Sequence, residues 1–461
     1  MPLVTLKSPV INLPNQLEVS SDYEQGGQGQ IYFSLDEKYA VKIYTKPRDN
    51  QQNLLQHVMK LFESLPVEHQ RFIVPPLALV DRLDGRPCVG FIMKKAPSIY
   101  RKLENFILTE RIAFKQFQDG KTWGNYLKVA RSIARAIRTL HFKGCAHSDI
   151  HPCNFLVNLD EGDSIMLEAD GVVVPGFLPP QVEGRRGYQA PEILTKNVAP
   201  SERTDRHSLA VLILHTLLFR NVLQFLNDYD DDPDRSEDLG WGKFALFNEH
   251  PTDRSNRLKN LGLPFYRRGI LSYKILTPSL QRLTEAALIE GLHTPDKRPS
   301  PKEWEEALAC ADDEILICVH CQQCFPFTSH DRICPFCGEH HRPPYPVVLE
   351  LYEERSKYDF MKIGKYGRHL VLGQASKLFT DMITPQYNPP FKRQNESVVG
   401  HVELNSNKGE YRLFNNEGGQ WIAYSPTGGQ RLTATRGQSL PLIKGFSIVF
   451  GEGRRLAIVK E

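Results

Sequence analysis

Three short stretches of this chain carry residue types that could act together on a phosphate group. Gly26, Gly27 and Gly29 fall in Gly-Gly-Gln-Gly-Gln-Ile-Tyr, residues 26–32, ahead of a strand. Glycines in a hairpin let backbone N–H groups approach phosphate oxygens with no Cβ in the way. Lys42 lies in the middle of the next strand, between Ala40-Val41 and Ile43-Tyr44. It either faces solvent or turns into a cleft, where an ammonium would neutralise phosphate charge. The third stretch, His-Ser-Asp-Ile-His-Pro-Cys-Asn at 147–154, places Asp149 and Asn154 five positions apart across a proline. That spacing can aim a carboxylate at a nucleophilic hydroxyl and an amide oxygen at Mg²⁺. A following strand ends in Leu167-Glu-Ala-Asp170-Gly171, which adds a carboxylate suited to a hard cation.

A second chemistry is written in cysteine. Of nine Cys, five lie between Cys318 and Cys337. Cys321-Gln-Gln-Cys324 and Cys334-Pro-Phe-Cys337 are separated by nine residues, 325–333. Each C-x-x-C turn brings two thiolates to one ion, and two such turns complete a closed tetrahedral zinc site. The pattern reads as a structural zinc ribbon, with redox use of a single pair as the competing possibility. Cys318 and His320 lie close enough to replace a ligand and are read as bystanders. An odd, clustered cysteine count suits a reducing compartment better than a disulfide framework.

These groups need elements to hold them. At roughly 150 residues per domain, 461 residues predict about three domains. Strands are expected at Gln30–Tyr44 and Cys88–Met93, and helices at Gln51–Leu65 and Trp123–Phe142. Leu209–Phe219 is the longest apolar run; its 11 residues make a core helix and are too few for a bilayer. The acidic stretch Asp228–Asp238 reads as a solvated loop, and Val348–Asp359 as a helical patch. The remainder alternates short apolar runs with Gly and Asn turns and reads as β structure. The 41% hydrophobic share excludes wholesale disorder, and a net charge of +3 gives no compositional reason to expect nucleic acid. The N-terminus has neither a cationic start nor an apolar run, so no signal peptide is expected.

The segment to residue 312 resembles the protein-kinase fold. Glu24 to Ile31 follows that family's glycine loop, with Glu24 in place of the first Gly, and Ala40-Val41-Lys42 follows its VAIK strand. His-Ser-Asp-Ile-His-Pro-Cys-Asn follows HRDLKPEN, Ala190-Pro191-Glu192 follows APE, and Asp205 and Arg298 sit in two later motifs. The resemblance implies that Gly26, Gly27, Gly29, Ile31, Ala40 and Met93 surround a nucleotide, with Lys42 on its phosphates. It implies Asp149 as catalytic base, Asn154 and Asp170 as Mg²⁺ ligands (Glu168 as the alternative to Asp170), Asp205 as support of the catalytic loop, and a Glu192–Arg298 pair. Several positions depart from the pattern. Ser148 replaces the Arg that reads an activating phosphate, and residues 171–189 hold no Ser or Thr, only Tyr188. His151 replaces a phosphate-contacting Lys, and the helix after Lys42 offers only Glu63 as its partner. The loop also resembles the DLHPGN loop of aminoglycoside-phosphotransferase-like kinases, which lack the APE and later Arg motifs.

The expected architecture is α+β. A two-lobed kinase-like domain spans 1–312, with lobes at 1–97 and 98–312. A zinc ribbon at 313–345 and a small β-sandwich at 346–461 follow. The last part weakly resembles a forkhead-associated domain, in which Arg368 would read phosphothreonine. The layout is similar to bacterial kinases of tellurite-resistance-type phosphorylation triads, which accompany a von Willebrand A protein and a metal-dependent phosphatase. The expected activity is transfer of the γ-phosphoryl of ATP to a protein Ser or Thr, with Mg²⁺ or Mn²⁺, and with Zn²⁺ in the ribbon. A cytoplasmic location follows, with neither membrane nor nucleic acid as a partner. The rival readings are a pseudokinase scaffold and a small-molecule kinase.

Overall fold

The computed structural model describes residues 1–63, 65–180, 182–327, 332–356, 359–363, 367–384, 397–451 and 455–460. The chain divides into two compact units. One holds Met1–Lys121, Asn125–Leu258 and Leu283–Glu305; the other holds Thr122–Gly124, Lys259–Arg282 and Glu306–Glu461.

The first unit opens with six antiparallel strands: β1 (Leu3–Leu6), β2 (Gln16–Gln25), β3 (Gly29–Ser34), β4 (Tyr39–Tyr44), β5 (Ala78–Leu83) and β6 (Arg86–Lys94). They close into a barrel in the order β1-β2-β3-β4-β6-β5. The closing strand β1, which pairs with β5, has no counterpart in the sequence reading; four residues are too short to stand out as a strand. Val4, Val19, Val41, Ile43, Val80 and Ile92 fill the interior. Because successive strand side chains alternate, Val41 and Ile43 inside place Ala40, Lys42 and Tyr44 outside. That outer face is covered in turn. Tyr44 packs with Leu79, Phe91 and Leu55, the last from helix α1 (Gln51–Glu63). Lys42 is therefore buried although it points away from the barrel.

The rest of this unit is mainly helical and supplies the loops beside that face. The helix Trp123–Phe142 delivers the chain into the 147–154 loop, and a three-stranded sheet of Arg101–Lys102, Phe155–Asn158 and Asp163–Met166 follows it. The helix Glu202–Leu218 starts from a Ser201/Thr204 capping box and is buried along most of its length. The acidic stretch corrects the loop expectation, because Pro233–Trp241 is helical. Asp232 caps it by accepting the N–H groups of Asp234 and Arg235, and Pro233 occupies the first turn, a start signal that net charge obscures. Its carboxylates are also partnered: Arg186 reaches Asp234 and Asp238 at 3.0 Å each.

In the second unit, Ile315–Ile317 and Cys324–Pro326 form a two-stranded sheet. The segment Lys259–Arg282 is part of this compact unit. The N–H groups of Phe265 and Tyr266 donate to the carbonyls of Pro335 and Phe336, 2.9 Å each. Val347–Ser356 is a strand, which corrects the expected helical patch. Leu349 and Leu351 are buried two apart, a period of two rather than 3.6. This strand pairs with three others in a seven-stranded sheet. A four-stranded sheet is built from Lys377–Phe379, Val398–Asn405, Glu410–Asn415 and Ser439–Pro441. Leu349, Leu351, Trp421 and Ile448 of the first sheet and Val402 and Leu413 of the second share one hydrophobic core. Among the described residues no helix is long and apolar enough to cross a membrane.

Candidate active site and metal centre

Strand register puts the expected nucleotide-facing residues on one face. Ile31 stands opposite Lys42, and Ala40 opposite Met93; directly opposed residues project to the same side. Gly27 borders open space and a Cβ at Gly26 would only touch the Gly29 carbonyl oxygen at 3.4 Å, while a Cβ at Gly29 would come within 2.2 Å of the Ile43 carbonyl oxygen. Gly29 is therefore required by the close approach of β3 to β4, whatever the loop binds.

On this face the Lys42 ammonium meets two carboxylates, Glu168 at 2.5 Å and Asp170 at 2.8 Å, and the Gln28 side-chain oxygen at 3.3 Å. Burial pulls the lysine pKa down, but the charges of Asp170 and Glu168 outweigh it and hold the ammonium above its ordinary value. The Tyr44 hydroxyl also donates to Asp170. Glu63, the acid that the sequence offers as partner for Lys42, is exposed at the end of α1. The buried face of α1 carries Gln51, Leu54, Leu55, Val58 and Phe62 and no acid. Both acidic partners of Lys42 come instead from the 168–170 turn, where Glu168 adopts a left-handed conformation, φ +54°.

The 147–154 loop is fixed from below. Asp205 accepts the backbone N–H groups of His147 (2.7 Å) and Ser148 (3.1 Å) and faces His141 Nε2 at 3.1 Å. Ser148 is left-handed, φ +66°, a conformation that an L-residue keeps only when its surroundings enforce it. Asp149 accepts Asn154 Nδ2 at 3.0 Å and faces His151 Nε2 at 3.3 Å. Burial raises the Asp149 pKa, yet the hydrogen bond and charge of His151, the charge of His147 and the Asn154 amide together bring it below the usual carboxyl value. Asn154 turns its N–H groups to Asp149, which leaves its carbonyl oxygen for a hard cation. His151, the replacement for a phosphate-contacting Lys, is engaged with Asp149.

The segment after the 168–170 turn carries no exposed hydroxyl among its described residues. Tyr188 is buried, and its hydroxyl lies 2.6 Å from His215 Nδ1. Burial pushes the Tyr188 phenol up and draws His215 down to about 4, so both are neutral near pH 7. Glu192 and Arg298 meet in a bidentate pair at 2.6 and 2.7 Å.

In the second unit the sulfurs of Cys318, Cys321, Cys334 and Cys337 lie within 4.8 Å of one another. Cys318 stands in this cluster where the sequence reading has Cys324, which instead belongs to the strand Cys324–Pro326. The two turns are built alike. Cys318 N–H donates to Gln323 and Gln322 N–H to Cys318; Cys334 N–H donates to Glu339 and Gly338 N–H to Cys334. The fifth position of each turn is left-handed, φ +60° at Gln322 and +80° at Gly338. A Cys321–Cys324 turn would impose that conformation on Phe325, which a bulky residue resists. The residue after each second cysteine was thus the usable signal. Sulfur separations of 3.8 Å (Cys318–Cys337) and 3.6 Å (Cys321–Cys334) match the roughly 3.8 Å edge of a tetrahedron with about 2.3 Å zinc–sulfur bonds. The cluster fits a metal such as zinc. Metal analysis of purified protein is expected to find one bound zinc lost in Cys318→Ser and kept in Cys324→Ser.

Arg368 does not lie open to a phosphate. Its side chain is 1% exposed, and its guanidinium donates to Asp313 at 2.7 Å.

The family described as Protein kinase domain matches residues 25–302. The chain is similar to Protein kinase YegI of Escherichia coli K12, 24% identical over 332 residues, which cover 68% of this chain and 47% of that protein. The protein of the same name in Escherichia coli O157:H7 is 24% identical over 336 residues, with the same two coverages. The chain spans about half the length of the curated relatives it matches. A solved structure, the ROP18 kinase domain in complex with AMP-PNP and sucrose, aligns with 68% of this chain and 84% of its own, at 15% identity and a TM-score of 0.42.

Proposed function

Because this chain belongs to the protein kinase family, we propose that it transfers the γ-phosphoryl group of ATP to a Ser or Thr hydroxyl of a partner protein. The observation that carries this function is the buried Lys42 ammonium, faced by Glu168 and Asp170, in the same unit as a loop where Asp149 and Asn154 are hydrogen-bonded. Lys42 would hold phosphate oxygens, with Ile31, Ala40 and Met93 against the base. The donor set fits Mg²⁺ or Mn²⁺: the Asn154 carbonyl oxygen and a carboxylate of the 168–170 turn are hard oxygen ligands. When bound, such an ion neutralises charge on the transferring group. Asp149 orients the acceptor hydroxyl and takes its proton. His151 and Asn154 hold that carboxylate in place, and Asp205 holds the loop.

Regulation is proposed to differ from phosphate-switched kinases. Ser148 has no guanidinium to read an activating phosphate, and Tyr188 is enclosed against His215. The resemblance to triad kinases supports a von Willebrand A protein and a metal-dependent phosphatase as partners, and a cytoplasmic location. A structural zinc held by Cys318, Cys321, Cys334 and Cys337 completes the proposal.

Incubation with γ-labelled ATP and Mg²⁺ is expected to place label on Ser or Thr of this chain or of an added acceptor. Lys42→Met should reduce incorporation to background. Label only on Tyr would overturn the specificity. No label above the Lys42→Met control would favour a scaffold, which the saturation of Lys42 by two carboxylates also suits. ATP turnover without any labelled protein would indicate a small-molecule acceptor.

A further inference from the structure

The two carboxylates on Lys42 are held very differently. Asp170 is 2% exposed and receives both the Lys42 ammonium and the Tyr44 hydroxyl on Oδ2. Glu168 is 35% exposed and meets Lys42 through Oε2 at 2.5 Å. Lys42 and Tyr44 are two apart on β4 and so share a face, which is why one carboxylate oxygen reaches both. Around them, Leu55, Leu79 and Phe91 exclude water from Tyr44. In this apolar pocket the phenol donates its hydrogen bond to Asp170. Gln51, the buried polar residue at the start of α1, also lies against the Tyr44 hydroxyl.

We propose that Asp170 and Tyr44 form a permanent anchor for Lys42, and that Glu168 is the carboxylate that takes the divalent cation with Asn154. The inference rests on the nucleotide-binding reading above. A buried ammonium needs a fixed counterion. Helix α1 supplies none, since its one acid is exposed. Asp170 fills that place from the 168–170 turn, with Tyr44 fixing its orientation. Moving Asp170 to an ion would leave a buried phenol and a buried ammonium short of their acceptor. Moving Glu168 breaks one partly solvated contact, and a phosphate oxygen can then replace it on Lys42. The left-handed backbone at Glu168 fits this assignment, because such outliers persist where the surroundings hold a side chain in a required position.

The full chain can be tested by electron paramagnetic resonance of Mn²⁺ titrated at AMP-PNP concentrations that saturate each variant, alongside steady-state kinetics. Wild type is expected to bind Mn²⁺ only with the nucleotide. Glu168→Gln should weaken that ion at least about tenfold. Asp170→Asn should leave Mn²⁺ affinity unchanged while raising KM for ATP about 10- to 100-fold. Should Asp170→Asn fail to fold, Tyr44→Phe is the second arm, with KM for ATP raised at least about threefold and kcat and Mn²⁺ affinity unchanged. Loss of Mn²⁺ in Asp170→Asn, retention in Glu168→Gln, or an unaltered KM in Tyr44→Phe would each overturn the assignment. A wild type that binds no Mn²⁺ with AMP-PNP would instead overturn the nucleotide reading, and this assignment with it.

Discussion

Asp149→Asn is expected to slow phosphoryl transfer by about 10²- to 10⁴-fold with the fold intact and KM for ATP nearly unchanged. The substitution keeps shape and removes charge. Asn154 can still donate to an amide oxygen at position 149, and Asp205 still holds the backbone of His147 and Ser148. What disappears is the carboxylate proposed as acceptor for the hydroxyl proton. In the native chain that acceptor is ionised at neutral pH, because His151, His147 and Asn154 together outweigh the effect of burial on its pKa. Lys42, which is proposed to hold the phosphates, is untouched, so the loss should fall on kcat rather than on KM. Single-turnover label transfer from ATP, with a melting curve for each variant, separates these effects. Equal rates for the two proteins would remove Asp149 from the chemistry.

The parts of this site that were legible in the sequence are those fixed by short spacing. Asp149 and Asn154 are only five positions apart, so their side chains can hardly avoid one another once Pro152 turns the chain. Lys42 was legible as mid-strand; its burial was not, because that depends on α1 and Phe91 covering a face that alternation alone would leave open. The partner of Lys42 was missed for a related reason. The ammonium is satisfied from 126 and 128 positions away, by a turn with no regular period to mark it. Two neighbouring C-x-x-C frames share Cys321, and only backbone conformation at the following residue separates them: Gln322 tolerates φ > 0 where Phe325 resists it. Charge misled at Pro233–Trp241, where an Asp-Pro start outweighs like-charge repulsion and Arg186 offsets part of it. At Val347–Ser356 a run of glutamates hid a strand whose buried Glu350 is matched by Lys362 and Lys460.

Arg298→Ala is expected to destabilise the first unit by about 3–5 kcal/mol, the usual result of removing one partner from a buried ion pair. All five guanidinium donors are engaged. Nε donates to the Gly291 carbonyl, one terminal nitrogen to Glu192 and the Arg203 carbonyl, and the other to Glu192 and the Leu292 carbonyl. The side chain has no exposure, so truncation leaves the Glu192 carboxylate buried without its cation and three carbonyls without a donor. Arg298→Lys keeps a charge but cannot reproduce the planar fork, so it should recover only part of the loss. The carboxylate is the main source of the cost, and it can be removed separately. Glu192→Gln combined with Arg298→Met should therefore be less destabilised than Arg298→Ala alone, a non-additivity expected of a directly coupled pair. Urea denaturation of the full chain measures all three variants. A loss below about 1 kcal/mol for Arg298→Ala, the range of exposed pairs, would mean that the pair is solvated and does not tie Glu192 to the later segment.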